Sequence, residues 1–193
     1  GSLASGSREV LVPRSVVIAG GLWGLFELAE VATAATPNPL DIRILLAFRE
    51  TGQPDNPIGG PQIESMVRDI TSLGGTAVLT LINALVVIYL LVRGKWEMAL
   101  FVLAAVLGGQ VLSTLMKLGV DRPRPDLVSH LMEESSRSFP SGHAMMSAVT
   151  YLTLGSLLAR ISPERRVKIF FLAAAVSLTL MVGVSRVYLG VHW

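Results

Sequence analysis

What most limits this chain is the spacing of its apolar runs. Five stretches are long enough, or nearly so, to cross the roughly 30 Å hydrocarbon layer of a bilayer. They are about Val16–Thr36, Leu73–Val92, Trp96–Met116, Ala144–Ile161 and Val167–Val184. Pro37-Asn38-Pro39 closes the first, and only Arg93-Gly94-Lys95 separates the second from the third. Hydrophobic residues make up 51% of the chain and charged residues 16%, a balance too apolar for an ordinary soluble domain. The expectation is an all-α, polytopic membrane helix bundle with five transmembrane helices in the 193 residues. That length fits one domain.

The remaining segments exclude several classes. The opening GSLASGS resembles a cloning remnant, so residues 1–15 are read as that remnant plus a cytoplasmic N-terminus. There is no cysteine, which removes disulfides and thiol catalysis. The net charge of +2 is ordinary for a membrane protein and implies no nucleic-acid partner. Leu40–Ser72 is more polar, with an amphipathic stripe (Ile42, Leu45, Leu46, Phe48) and then the turn-rich TGQPDNPIGGP. It is expected to lie along the membrane surface.

Orientation follows from the short loops. Arg93 and Lys95 occupy one, Arg160, Arg165, Arg166 and Lys168 another, and Arg8 and Arg14 precede the first run. The positive-inside tendency makes all three cytoplasmic. Parity then brings KLGVDRPRPD (Lys117–Asp126), SFPSGHAMM (Ser138–Met146) and SRVYLGVHW (Ser185–Trp193) to the opposite, exoplasmic surface.

The chemistry of these clusters is complementary. Lys117, Arg124 and Arg186 are cations that would each cost roughly 2.5–3.5 kcal/mol in lipid, so they should face a polar cavity or an anion. Arginine matches phosphate oxygens with a planar fork, and lysine acts as a point charge. Ser141 suits a helix N-cap, Gly142 admits a ligand close to the backbone, and an anion at such a helix start is favoured by free N–H groups and the dipole. His143 and His192 add groups that exchange protons near neutral pH or attack phosphorus. The basic stretch therefore reads as one wall of a phosphate pocket.

Lys117-x6-Arg124-Pro125, Pro140-Ser141-Gly142-His143 and Ser185-Arg186-x5-His192 resemble the three-part signature of the type-2 phosphatidic acid phosphatases. This lipid phosphate phosphatase family shares its signature with vanadium haloperoxidases and bacterial acid phosphatases. The similarity runs from about Leu73 to the end, and its weight comes from three motifs in the right order and spacing. The resemblance implies a metal-independent mechanism without a cofactor, in a membrane-embedded phosphatase domain over residues 16–193. His192 would be the nucleophile and His143 the general acid. Lys117, Arg124, Ser141, Gly142 and Arg186 would hold the phosphoryl oxygens. The substrate partner would be a lipid phosphate monoester or diphosphate, undecaprenyl diphosphate and phosphatidylglycerophosphate among them. The active site would face the periplasm or exterior of a bacterial inner membrane. The family pattern continues to an aspartate four residues past the histidine and then to a sixth helix. The expectation is thus a natural protein that extends beyond Trp193.

Plainer readings stand beside these. Lys117 and Arg186 could snorkel to the interface. Arg122 matches no required position and His130 reads as solvated. Met145, Met146 and Ser147 read as helix packing, Gly74-Gly75 and Gly108-Gly109 as close helix contacts, and Trp96, Tyr188 and Trp193 as an interfacial belt. No His-x-x-x-His or neighbouring carboxylate pair suggests zinc. A phosphotransferase, or a lipid-phosphate transporter or receptor without catalysis, are the alternative functions.

Overall fold

The computed structural model describes residues 38–119, 125, 127–132 and 139–192. The first expected span, about Val16–Thr36, lies outside these residues. Among them are α1 (Pro39–Ala47), β1 (Arg49–Glu50), β2 (Gln53–Pro57), α2 (Gly60–Ser72), α3 (Thr76–Val92), α4 (Trp96–Gly119), α5 (Gly142–Ile161) and α6 (Arg165–Tyr188). The described residues are mostly helical, and the strands among them form a small antiparallel hairpin pairing Arg49 with Pro57 and Glu50 with Gln53.

Three helices, α4, α5 and α6, are long and apolar enough to cross a membrane. At 1.5 Å per residue they reach about 36, 30 and 36 Å. With 17 residues, α3 meets that standard only together with α2, to which it is joined at a 42° bend. The described residues thus hold three spans, or four if the bent pair counts as one, where four of the five expected runs fall.

The largest departure from expectation is α2, which occupies part of the stretch read as turn-rich. Gly59 and Gly60 both have left-handed backbones, at φ 91° and 68°, so they do form a turn. Pro61 then starts a helix, because its fixed φ suits the first turn and its missing N–H is not needed there. An i,i+4 pair, Glu64 with Arg68, supports the exposed face of α2. The short α1 does form, capped by Asn38, whose side chain accepts from Leu40 N at 2.9 Å. Of its expected stripe, however, Leu45 is fully buried and Leu46 is exposed.

Glycines set how closely the long helices approach. A β-carbon on Gly155 would stand 2.6 Å from Ala175 Cβ and 3.0 Å from Phe171 O, so α5 meets α6 nearly backbone to side chain. On α4, Gly109 abuts Val149 of α5, as expected for a close contact, whereas Gly108 faces open space. Leu85, Val111 and Phe170 are exposed on the outer faces, where lipid tails would cover them.

The turn after α3 bonds Gly94 N to Leu91 O and Lys95 N to Leu90 O, with Gly94 left-handed. That is the Schellman closure, which satisfies the last carbonyls of a helix. It reverses the chain into α4 within a few residues, so successive long helices run in opposite directions. Gly74, Lys117, Gly142, His143 and His192 then meet at one end of the bundle.

Candidate active site

The start of α3, the end of α4, the start of α5 and the segment after α6 enclose a cavity of about 790 Å³. Its polar end carries Lys117, Gly142, His143 and His192, beside Gly74 and Thr76. Deeper in, the walls are largely apolar, with Leu79, Val87, Val102, Val106 and Leu107, interrupted by Asn83, Gln110 and Ser113. A polar mouth over an apolar slot suits an amphiphile with one charged group. A second groove of about 600 Å³, between α2 and α6, is lined by Ile63, Val67, Leu180, Val184 and other mostly apolar residues, and it contains none of the signature cations or histidines.

Each polar group has a local reason for its position. Ser141 is the N-cap of α5 and its Oγ accepts from Ala144 N at 3.4 Å. The next two residues, Gly142 and His143, therefore open the helix, where N–H groups lack intrahelical acceptors. Lys117, in the last turn of α4, brings its Nζ to 3.6 Å from the place a β-carbon on Gly142 would take. A cation is favoured at the C-terminus of its own helix and disfavoured by the positive N-terminus of another. An anion between Lys117 and the start of α5 would be attracted by both.

His192 owes its place to the end of α6. Gly190 N bonds Val187 O at 3.0 Å and Val191 N bonds Arg186 O at 3.3 Å, with Gly190 at φ 72°. This second Schellman closure turns the chain sharply, and His192 follows it, 6% exposed. Arg186 is 1% exposed on the last turn of α6, with Nη1 4.0 Å from Met132 Sδ.

Of the seven residues the sequence nominated, Lys117, Gly142, His143 and His192 line the same cavity. Ser141 caps the helix that presents two of them. Arg186 is buried on the last turn of α6, next to the His192 turn, and Arg124 lies outside the described residues. One of the plainer readings needs revision. Tyr188 is not an interfacial residue: it is 4% exposed, and its hydroxyl donates to Ile58 O at 2.7 Å. Met146 packs in the core and also faces the cavity. His130 is exposed as expected, and its Nε2 contacts Pro125 O at 2.5 Å.

Sequence reasoning overlooked other supports. Tyr151 donates to Leu73 O at 2.7 Å, tying α5 to the bend between α2 and α3. Asn83 Nδ2 donates to Leu79 O and to Thr150 Oγ1, at 2.8 and 2.9 Å. A lone asparagine inside the apolar second run was the available signal for that pair. Arg49 is buried against the His192 turn. Its position between the amphipathic stripe and the turn-rich stretch gave no sign of burial.

The sequence profile of the PAP2 superfamily matches residues 98–193. Phosphatidylglycerophosphatase B of Bacillus subtilis (strain 168) is 35% identical over 140 residues, an alignment covering 69% of this chain and 66% of that protein. The chain thus spans just under two thirds of that relative. A crystal structure described as the first transmembrane PAP2 type phosphatidylglycerolphosphate phosphatase, from Bacillus subtilis, superposes with a TM-score of 0.74 at 29% identity, covering 88% of this chain and 83% of that one.

Proposed function

The chain belongs to the PAP2 superfamily, and from that premise we propose that it is an integral-membrane phosphatase acting on a lipid phosphate through a phosphohistidine. The observation that carries the reading is the meeting of His143, His192 and Lys117 in one cavity whose remaining wall is largely apolar. Such a cavity accommodates a phosphorylated headgroup at one end and lipid chains along its length.

In the first step a nitrogen of His192 attacks phosphorus and the bond to the leaving oxygen breaks. His143 gives that oxygen its proton. In the second step His143 takes a proton from water as the water oxygen attacks phosphorus, and the phosphorus–nitrogen bond breaks to free His192 and inorganic phosphate. Charge on the phosphoryl oxygens is held by Lys117, Arg186, Arg124 and the N–H groups at the Ser141–Gly142 helix start. No metal ion takes part in this scheme. The site faces the exterior of a bacterial inner membrane, opposite the basic loops at Arg93–Lys95 and Arg160–Lys168. Similarity to a phosphatidylglycerophosphatase makes phosphatidylglycerophosphate the leading substrate, with other lipid monoesters and diphosphates behind it.

The test is phosphate release from a panel of lipid phosphates in detergent, with and without EDTA, by the natural full-length protein and by His192→Ala. Release that disappears in the variant and survives EDTA is expected. Equal release by both would remove His192 from the mechanism, and loss to EDTA with recovery on added zinc would replace it with a metal centre.

A further inference from the structure

Arg49 stands outside every motif that nominated the site, yet it is 6% exposed. Its Nη1 donates to Tyr188 O at 2.8 Å, at the last residue of α6. Its Nη2 lies 2.8 Å from the place a β-carbon on Gly190 would occupy. The guanidinium therefore lies along the three-residue turn whose torsions set where His192 stands. Around it the hairpin is locked to the same turn: Phe48 meets the Tyr188 ring edge-on, and Tyr188 donates to Ile58 O. Ser129 donates twice to Asp55, and Leu131 N bonds Leu189 O.

The chemistry is costly for a plain fastening. Among the described residues, no carboxylate comes within ion-pair distance of Arg49, and its Nε and Nη2 have no hydrogen-bond partner. Burial accordingly lowers its pKa from the ordinary arginine value, against weaker raising influences from Tyr188 and Asp55. A neutral side chain could cover Gly190 without that penalty. The guanidinium does something a neutral group cannot do so well. It makes a charge-assisted bond to a helix-terminal carbonyl while its Nη2 packs close against a residue that has no side chain.

We propose that Arg49 is a positioning residue for His192, holding the Tyr188–Gly190 turn so that the imidazole faces phosphorus. This rests on the reading of His192 as nucleophile, and the test separates the two. Misplacement of a reacting group by about 1 Å costs on the order of a hundredfold in rate. Substrate affinity comes from Lys117 and the helix start, which Arg49 does not touch, so the loss should fall on kcat.

Arg49→Ala, Arg49→Met and Arg49→Lys are compared with wild type on one lipid phosphate that wild type hydrolyses. Steady-state kinetics, single-turnover formation of the phosphoenzyme and thermal melting in detergent are read for each. The expected result is a kcat about ten- to a hundredfold lower in the alanine and methionine variants. Phosphoenzyme formation slows by the same factor, KM and melting temperature are little changed, and activity is partly recovered in Arg49→Lys. Unchanged kcat overturns the proposal. So does a kcat loss that tracks a fall in melting temperature in all three variants, which is the mark of a stability role alone. Should the alanine variant fail to fold, the methionine and lysine variants decide between these outcomes. Failure of the phosphohistidine reading shows separately, as wild type releasing no phosphate or His192→Ala releasing as much as wild type.

Discussion

A β-carbon on Gly74 would lie 3.0 Å from the carbonyl oxygen of His143 and 3.3 Å from its Cβ. The bend between α2 and α3 is thus packed directly against the first turn of α5, with Val182 closing the third side at 2.5 Å. Gly74→Ala overpacks this junction at a cost of about 1–3 kcal/mol, and relief requires His143 or Val182 to move. Phosphate release should fall by at least about tenfold, given the sensitivity of rate to small displacements. Gly108→Ala is the control: nothing lies within 4 Å of its added carbon, and alanine is the better helix former. Melting temperature and activity of the two variants, measured side by side, check this; equal behaviour would contradict it.

Lys117 should matter to substrate binding and catalysis together. Lys117→Met keeps the stem that lines the cavity and removes the charge facing the start of α5. Loss of one charge-assisted phosphate contact is worth about 1.5–3 kcal/mol, or roughly ten- to 150-fold in kcat/KM. An interfacial anchor whose only task is to snorkel would leave kcat/KM unchanged. Kinetics over a range of ionic strengths provide a second measurement, since the charge contribution weakens as salt rises.

The α4, α5 and α6 spans were legible because about twenty apolar residues have few other solutions, and their glycine and serine punctuation marks the ends. The clustering of the candidate site was legible for a different reason. Parity of the crossings put Lys117, His143 and His192 on one face before any contact was known, and these three line one cavity. What stayed hidden was tertiary. The segment Gly60–Ser72 is amphipathic and polar enough to pass for surface, and its leading Gly-Gly-Pro signalled a turn that also starts a helix. Tyr188 read as an interfacial ring and Arg49 carried no signal of its own, whereas the hairpin folds over the end of α6 and buries both. No local pattern reports which loop lies over which helix end.

Tyr151 offers a test of that hidden layer. Its hydroxyl donates to Leu73 O at 2.7 Å, and the ring is buried with Leu79 and Ala175. Tyr151→Phe keeps the ring and leaves the Leu73 carbonyl without this donor. A loss of about 1 kcal/mol is expected, more if water does not reach the carbonyl. The α2–α3 bend should then loosen, read as faster amide exchange around Leu73–Gly75 in detergent. Exchange and melting unchanged from wild type would show that the bond contributes nothing net.

The role assigned to His143 makes the most discriminating prediction, because it depends on the leaving group. A general acid accelerates departure of a poor leaving group, such as the alkoxide of a lipid monoester, by about a hundred- to ten-thousandfold. A good leaving group, such as p-nitrophenolate or the phosphate of a diphosphate, departs with little help. His143→Gln retains a donor at the start of α5 and loses the capacity to transfer a proton. Its kcat/KM on a lipid monoester should therefore drop much further than on p-nitrophenyl phosphate or a lipid diphosphate. If His143 merely holds the phosphoryl oxygens, the loss is the same for every leaving group, because that contact is made to the part of the substrate they share. The ratio of the two losses, measured on one preparation, distinguishes proton transfer from anion binding without assuming an absolute rate.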